Sequence, residues 1–186
     1  MDSEFFEMMY SRLNAGLPPY LTYHNVPHTQ YVLEKALYLG KTEGCNEEEL
    51  RLISVAALYH DAGFLIKREN HEAHGCELVR EELPREGFAP EEVETICGMI
   101  MATKVVQNPQ NKLERILVDA DLFYLGTADY FYFSGLLKKE LLYFNPSLEE
   151  EEWRKIQIDF LTAHQYFTEY GQRYLHPVKM SNLKLI

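Results

Sequence analysis

The sequence predicts an all-α fold, a compact single-domain helical bundle over residues 1–186, on three observations. Apolar residues recur at helical spacing almost throughout, Gly and Pro cluster at a few breaks, and strands have little support. A chain of 186 residues is long enough for one well-formed core and gives no sign of a second domain. A hydrophobic fraction of 46%, with 13 Tyr and 10 Phe, is too much apolar bulk for a disordered or coiled-coil polypeptide.

Phe5, Phe6, Met9 and Leu13 sit at the spacing of a first helix, which the Gly16, Pro18, Pro19 stretch closes. The loop that follows carries Tyr23, His24 and Asn25. Asn25 is a good N-cap and Pro27 suits the first turn of a second helix, whose apolar stripe of Val32, Leu33, Ala36, Leu37 and Leu39 ends near Gly44. His28 therefore lies in that helix's first turn. Asn46 caps a third helix, with Glu47 to Glu49 at its dipole-positive start and Leu52, Val55, Ala56 and Leu58 buried along it. His60 and Asp61 fall at its C-terminal end, just before Gly63.

Further helices are expected at Glu72 to Leu83, Pro90 to Thr103, Lys112 to Leu125, Ala128 to Tyr143 and Leu148 to Tyr174, the last as one helix or two. Asn108 to Asn111 and the Asn145, Pro146 pair read as loops, and the tail from His176 has no strong pattern. The acidic run Glu149 to Glu152 is most simply a solvated first helical turn. His164 and His176, in this weakly patterned third, read as structural, as does His74.

A net charge of -11 and a pI near 5.1 argue against nucleic acid or an anionic membrane as partner, since both attract a basic surface. The same charge repels a phosphate-bearing substrate at long range, so an anion site needs local positive charge from metal ions and a few Lys or Arg. Cys45, Cys76 and Cys97 form no CxxC pair, and an odd, unclustered set fits a reducing compartment. The opening MDSEFFEMMYSRL has neither a basic n-region nor a long apolar run, so the expected location is the cytoplasm. The aromatic-rich C-terminal third suits a homodimer surface as well as an internal one.

The chemistry concentrates in His28, the adjacent pair His60 and Asp61, and Asp121, spread over three predicted helices that a bundle can turn toward one centre. Neighbours on a helix diverge by about 100 degrees, so His60 and Asp61 share one ion only near a helix end, where Gly63 puts them. Two imidazoles and two carboxylates suit a hydrolytic divalent ion such as Mn²⁺, Mg²⁺, Co²⁺, Ni²⁺ or Fe²⁺. Such an ion keeps open positions for water and a phosphoryl oxygen and lowers the pKa of that water. Asp61 could bridge a second ion, so the count is one or two. Asp119, two residues from Asp121, faces elsewhere on the helix and stays outside the ligand set, either solvated or in a supporting role.

The order His28, His60-Asp61, Asp121, set in Tyr23-His24-Asn25-Val26-Pro27-His28-Thr29 and Leu117-Val118-Asp119-Ala120-Asp121-Leu122, resembles the HD-domain superfamily of metal-dependent phosphohydrolases from about residue 20 to residue 126. The Tyr-His-Asn-x-x-His run is similar to that of cyclic-nucleotide phosphodiesterases, which implies His24 as proton donor and His28 as ligand. Ala102-Thr103-Lys104, with the later Asp119-Ala120-Asp121-Leu122 and Leu125-Gly126, looks like a group of small bacterial HD phosphohydrolases. That group often has a His two positions after the Lys, where this chain has Val106. Asn70-His71-Glu72 also resembles a superfamily segment beside the metal.

The resemblance implies an HD-type bundle that cleaves a phosphoester or phosphoanhydride in a small nucleotide-like substrate. Asp61 and His24 are then catalytic, His71 a second proton donor or substrate contact, and Lys104 and Arg68 the clamps that bring positive charge to the phosphate. Two other functions compete. The missing His at Val106 suggests a metal- or nucleotide-binding module without turnover, and a minority of HD proteins use two iron ions to oxidise a substrate.

Overall fold

From Leu52 to its end the third helix of the chain is buried on every side, with the second, fifth and sixth helices packed on it. The computed structural model describes residues 3–186; Met1 and Asp2, which begin the expected domain and the opening segment, lie outside the described residues. The helices are α1 (Ser3–Gly16), α2 (Val26–Thr42), α3 (Glu47–Tyr59), α4 (His71–Glu82), α5 (Pro90–Ala102), α6 (Lys112–Asp121), α7 (Tyr130–Phe144), α8 (Glu150–Ala163) and α9 (His176–Leu183). Among the described residues there is no strand, and no helix is long and apolar enough to cross a membrane.

Every residue of α3 from Leu52 to Tyr59 is buried, as a helix without a polar face must be. Helices α2, α5 and α6 pack directly on it, α2 also meets α6, and α4 lies against α5. The starts of these helices are fixed by side chains. Asn25 accepts from the His28 N–H at 3.2 Å and so sets the entry of α2. Asn46 and Glu49 exchange side-chain-to-backbone hydrogen bonds of 2.9 Å in a capping box at α3. Asn111 accepts from the Glu114 N–H at 3.0 Å to begin α6.

The C-terminal third departs from expectation in three places, each for a tertiary reason. Helix α6 ends at Asp121 rather than continuing to Leu125, and Phe123–Gly126 form a 3₁₀ turn. That turn is pressed so closely on Leu175 that a Cβ on Gly126 would lie 2.6 Å from the Leu175 carbonyl oxygen. Asn182 holds it by donating to the Leu125 and Thr127 carbonyls at 3.0 and 2.9 Å. The expected Leu148 to Tyr174 helix is broken at His164, whose backbone is extended (ψ 138). There Lys179 takes the Leu161 and His164 carbonyls. The tail from His176 forms α9, whose buried side chains include Lys179 and Asn182, so it carries no apolar stripe to read.

Candidate metal centre

Three helix ends meet at one point. The first turn of α2 contributes His28, the residues after α3 contribute His60 and Asp61, and the last residue of α6 is Asp121. His28, His60 and Asp61 are all buried. The turn after Asp61 lies against the start of α4, where a Cβ on Gly63 would sit 1.8 Å from the His71 carbonyl oxygen; only glycine permits that approach.

His60 donates Nδ1–H to the Ala57 carbonyl at 2.8 Å, which directs its Nε2 lone pair inward. That nitrogen lies 3.3 Å from His28 Nε2, 3.2 Å from Asp61 Oδ2 and 3.7 Å from Asp121 Oδ1. His28 Nε2 is 3.1 Å from Asp121 Oδ1 and 3.5 Å from Asp61 Oδ2. The ligand atoms of His28, His60 and Asp121 all lie within 4.8 Å of one another. Asp61 Oδ2 is buried with no hydrogen-bond donor. Burial lowers the His60 pKa, yet the Asp61 and Asp121 carboxylates outweigh it and lift the imidazole to about 9. Acceptors facing acceptors, around a group that draws positive charge, fit a divalent cation.

His71 extends the cluster on the other side of Asp61. It donates Nδ1–H to the Arg68 carbonyl at 3.1 Å and sets Nε2 at 3.4 Å from Asp61 Oδ1 and 3.7 Å from Glu72 Oε1. The Phe64 ring stacks on both His71 and His24, with centroids 4.1 and 4.7 Å away, and the two imidazole centroids are themselves 6.1 Å apart. His24 Nδ1 lies 2.5 Å from Glu140 Oε1, and Glu140 Oε2 accepts the Tyr23 and His24 backbone N–H groups at 2.9 and 3.1 Å. Burial lowers the His24 pKa, but the Asp61 charge and the Glu140 hydrogen bond more than reverse this and hold it above the ordinary value.

Glu140, buried on α7, was not foreseen as a site residue. In the run Lys138-Lys139-Glu140 it reads as an ordinary solvated charge; only the apolar pairs on either side, Leu136-Leu137 and Leu141-Leu142, mark a position facing inward. Lys104 and Arg68 stand apart from the cluster. Lys104 Nζ donates to Asn70 Oδ1 at 3.3 Å, and the Arg68 guanidinium lies 4.1 Å over the Phe144 ring. Asp119 turns away altogether. It is fully buried and accepts from Phe167 N, Thr168 N and Thr168 Oγ1 at 3.0, 2.8 and 2.6 Å. Burial raises its pKa to about 6 against the pull of those hydrogen bonds.

The cluster opens into a mainly apolar cavity of about 500 Å³ that runs toward α7 and α8. Asp61, His71 and Asp121 share its lining with Trp153 and Phe160 of α8 and with His164 just after it. Val106 reaches the wall from an exposed loop, with φ at 69°. No Lys or Arg is among the described residues of the lining.

Comparison with known proteins agrees with this geometry. Residues 26–124 match the family model for the HD domain. No curated protein sequence matches the chain. The fold is similar to the crystal structure of a predicted HD superfamily hydrolase from an uncultured Thermotogales bacterium, with a TM-score of 0.57 and 22% identity over 84% of this chain and 88% of that one. It is also similar to Bacillus subtilis YpgQ in complex with ADP, with a TM-score of 0.65 and 14% identity over 97% of this chain and 94% of that one.

Proposed function

The chain belongs to the HD-domain family, and on that premise we propose that it is a metal-dependent phosphohydrolase acting on a phosphoester or phosphoanhydride of a small nucleotide-like substrate. The crowding of acceptors carries the reading: two imidazole nitrogens and two carboxylates point at one another with too few protons between them. His28, His60, Asp61 and Asp121 would hold the ion, and Asp61, with one oxygen toward the imidazole pair and the other toward His71, is the residue that could serve a second. When bound, the metal activates water at neutral pH and offsets charge on the phosphoryl oxygens.

His24 would give its proton to the leaving oxygen. Glu140 holds Nδ1 and Phe64 supports the ring face, so Nε2 is the nitrogen able to exchange a proton with a ligand, and the Asp61 charge and the Glu140 hydrogen bond favour the protonated ring. His71, with its ring centre 6.1 Å from that of His24, would approach the phosphoryl group beside it. Lys104 and Arg68 enter as phosphate contacts by leaving Asn70 and the Phe144 ring. The ADP bound to YpgQ supports a nucleotide-like ligand. Three cysteines without disulfides favour the cytosol as the working compartment.

Phosphate release from nucleoside mono-, di- and triphosphates and cyclic nucleotides, with Mn²⁺, Mg²⁺, Co²⁺ and Ni²⁺ in turn, tests the reading. Asp61→Ala is expected to abolish turnover, and Glu140→Gln to lower kcat about tenfold by loosening the proton donor. Metal binding without phosphate release across the panel would leave a binding module in its place.

A further inference from the structure

In the wall of the cavity, just after α8, stands a histidine whose hydrogen bonding is fixed from behind. His164 is 9% exposed and Lys179 of α9 is 1% exposed. The Lys179 ammonium lies 2.9 Å from the Leu161 carbonyl, 2.5 Å from the His164 carbonyl and 3.5 Å from His164 Nδ1, so three protons meet three acceptors. With Nδ1 accepting, the ring proton is on Nε2. Burial and the Lys179 charge push the imidazole pKa down to about 3, so no second proton joins it. That Nε2 is buried in the cavity wall with no partner in the protein. A buried donor left unpaired is costly, and one locked in that state by a second buried residue suits a ligand's acceptor.

The surroundings say what kind of ligand. Phe160, one turn back on α8, sets a flat apolar face 6.0 Å from the His164 ring, and Trp153 adds another farther along the wall. Gln157, also in the wall, has its carbonyl oxygen taken by the Tyr130 and Ser134 hydroxyls at 2.9 and 2.6 Å, which leaves its NH₂ as the free end. The carboxylates of the lining are Asp61, Glu72 and Asp121, and no Lys or Arg lines the cavity among the described residues. Along α8 a polyphosphate chain would meet uncharged walls; a heterocycle with a ring acceptor would meet a donor and an aromatic face.

We propose that the α8 wall of the cavity is a recognition subsite for the uncharged heterocyclic body of the substrate, with His164 Nε2–H as its specificity-determining donor and Gln157, two turns back on α8, as a second. The placing of a phosphoryl group at the metal centre rests on the phosphohydrolase reading; the subsite itself does not.

Trp153 is the chain's only tryptophan and stands in the wall, so its emission reports occupancy. Adenosine, guanosine, cytidine and uridine are titrated into the full chain in EDTA, with inorganic phosphate as the charged control. At least one nucleoside is expected to change the emission saturably, and phosphate is not. His164→Phe keeps a flat ring and the two carbonyls that hold Lys179, and should weaken that binding about tenfold, the loss of one hydrogen bond. Gln157→Leu, which leaves the Lys179 contacts alone, should act in the same direction.

No response to any nucleoside overturns the proposal, as does equal affinity in a folded His164→Phe protein. Should that variant fail to fold, the wild type is titrated with deaza analogues of the bound nucleoside, each lacking one ring acceptor; equal affinity for all of them overturns it too. Phosphate release without nucleoside binding removes the subsite and keeps the hydrolase. Nucleoside binding without phosphate release does the reverse.

Discussion

Buried polar groups in the two halves of this protein follow opposite rules. Around α9 and the end of α6 the inventory balances: Lys179 has three acceptors, Asn182 donates to two carbonyls, and Asp119 takes the N–H groups and hydroxyl that Phe167 and Thr168 offer. At the metal centre it does not, because His28, His60, Asp61 and Asp121 converge with acceptors against acceptors. A balanced inventory marks structure; a shortage of protons marks a cation site. His164 Nε2–H and the Tyr23 hydroxyl are the opposite case, protons with no taker.

The largest effect should come from breaking the balanced half. Asp119→Ala leaves three buried donors unmatched and is expected to cost about 3 kcal/mol, read as an equal shift in urea unfolding with and without Mn²⁺. A loss seen only with the metal present would instead assign Asp119 to the cluster.

Next comes the pH dependence of the neutral imidazole at 164. Its folded pKa of about 3 lies below the unfolded value near 6.5, so its contribution is complete above pH 6.5 and is lost as pH falls from there toward 3. By pH 4.5 the loss should reach about 2–3 kcal/mol. Urea titrations across that range should give a flatter acid limb for His164→Phe, and an unchanged limb would refute the assignment.

The smallest effect sharpens the proton shortage. Asp121→Asn exchanges a carboxylate for an amide that can donate, so stability in EDTA should hold or rise by about 1 kcal/mol, while stabilisation by Mn²⁺ disappears. Thermal unfolding in both conditions reads this directly. A clear loss of stability in EDTA would mean that the acceptors are already matched.

The same contrast explains what was legible in the sequence. The first six helices announce themselves through caps such as Asn25, Asn46 and Asn111 and through apolar spacing, and the cluster through His and Asp at helix ends. The signals there are local. The end of α6, the break at His164 and the whole of α9 are decided by partners far along the chain, and α9 buries a lysine and an asparagine, which hydropathy counts as surface. Glu140 escaped for the same reason: its role depends on His24, which is 116 residues away. Lys104 and Arg68 enter the reading by residue type and neighbours alone; in the fold they rest on Asn70 and the Phe144 ring, outside the cavity wall.

The hydrogen bond from His24 to Glu140 also sets an order in time. A nascent chain that has emerged only as far as Asp121 already contains all four residues of the cluster, yet it lacks the carboxylate that holds His24, the Thr168 that donates to Asp119, and the Asn182 that clamps the turn after α6. Under the proposed function such an intermediate would capture an ion before His24 is aimed. Synthesis would then separate loading from competence until the late helices dock.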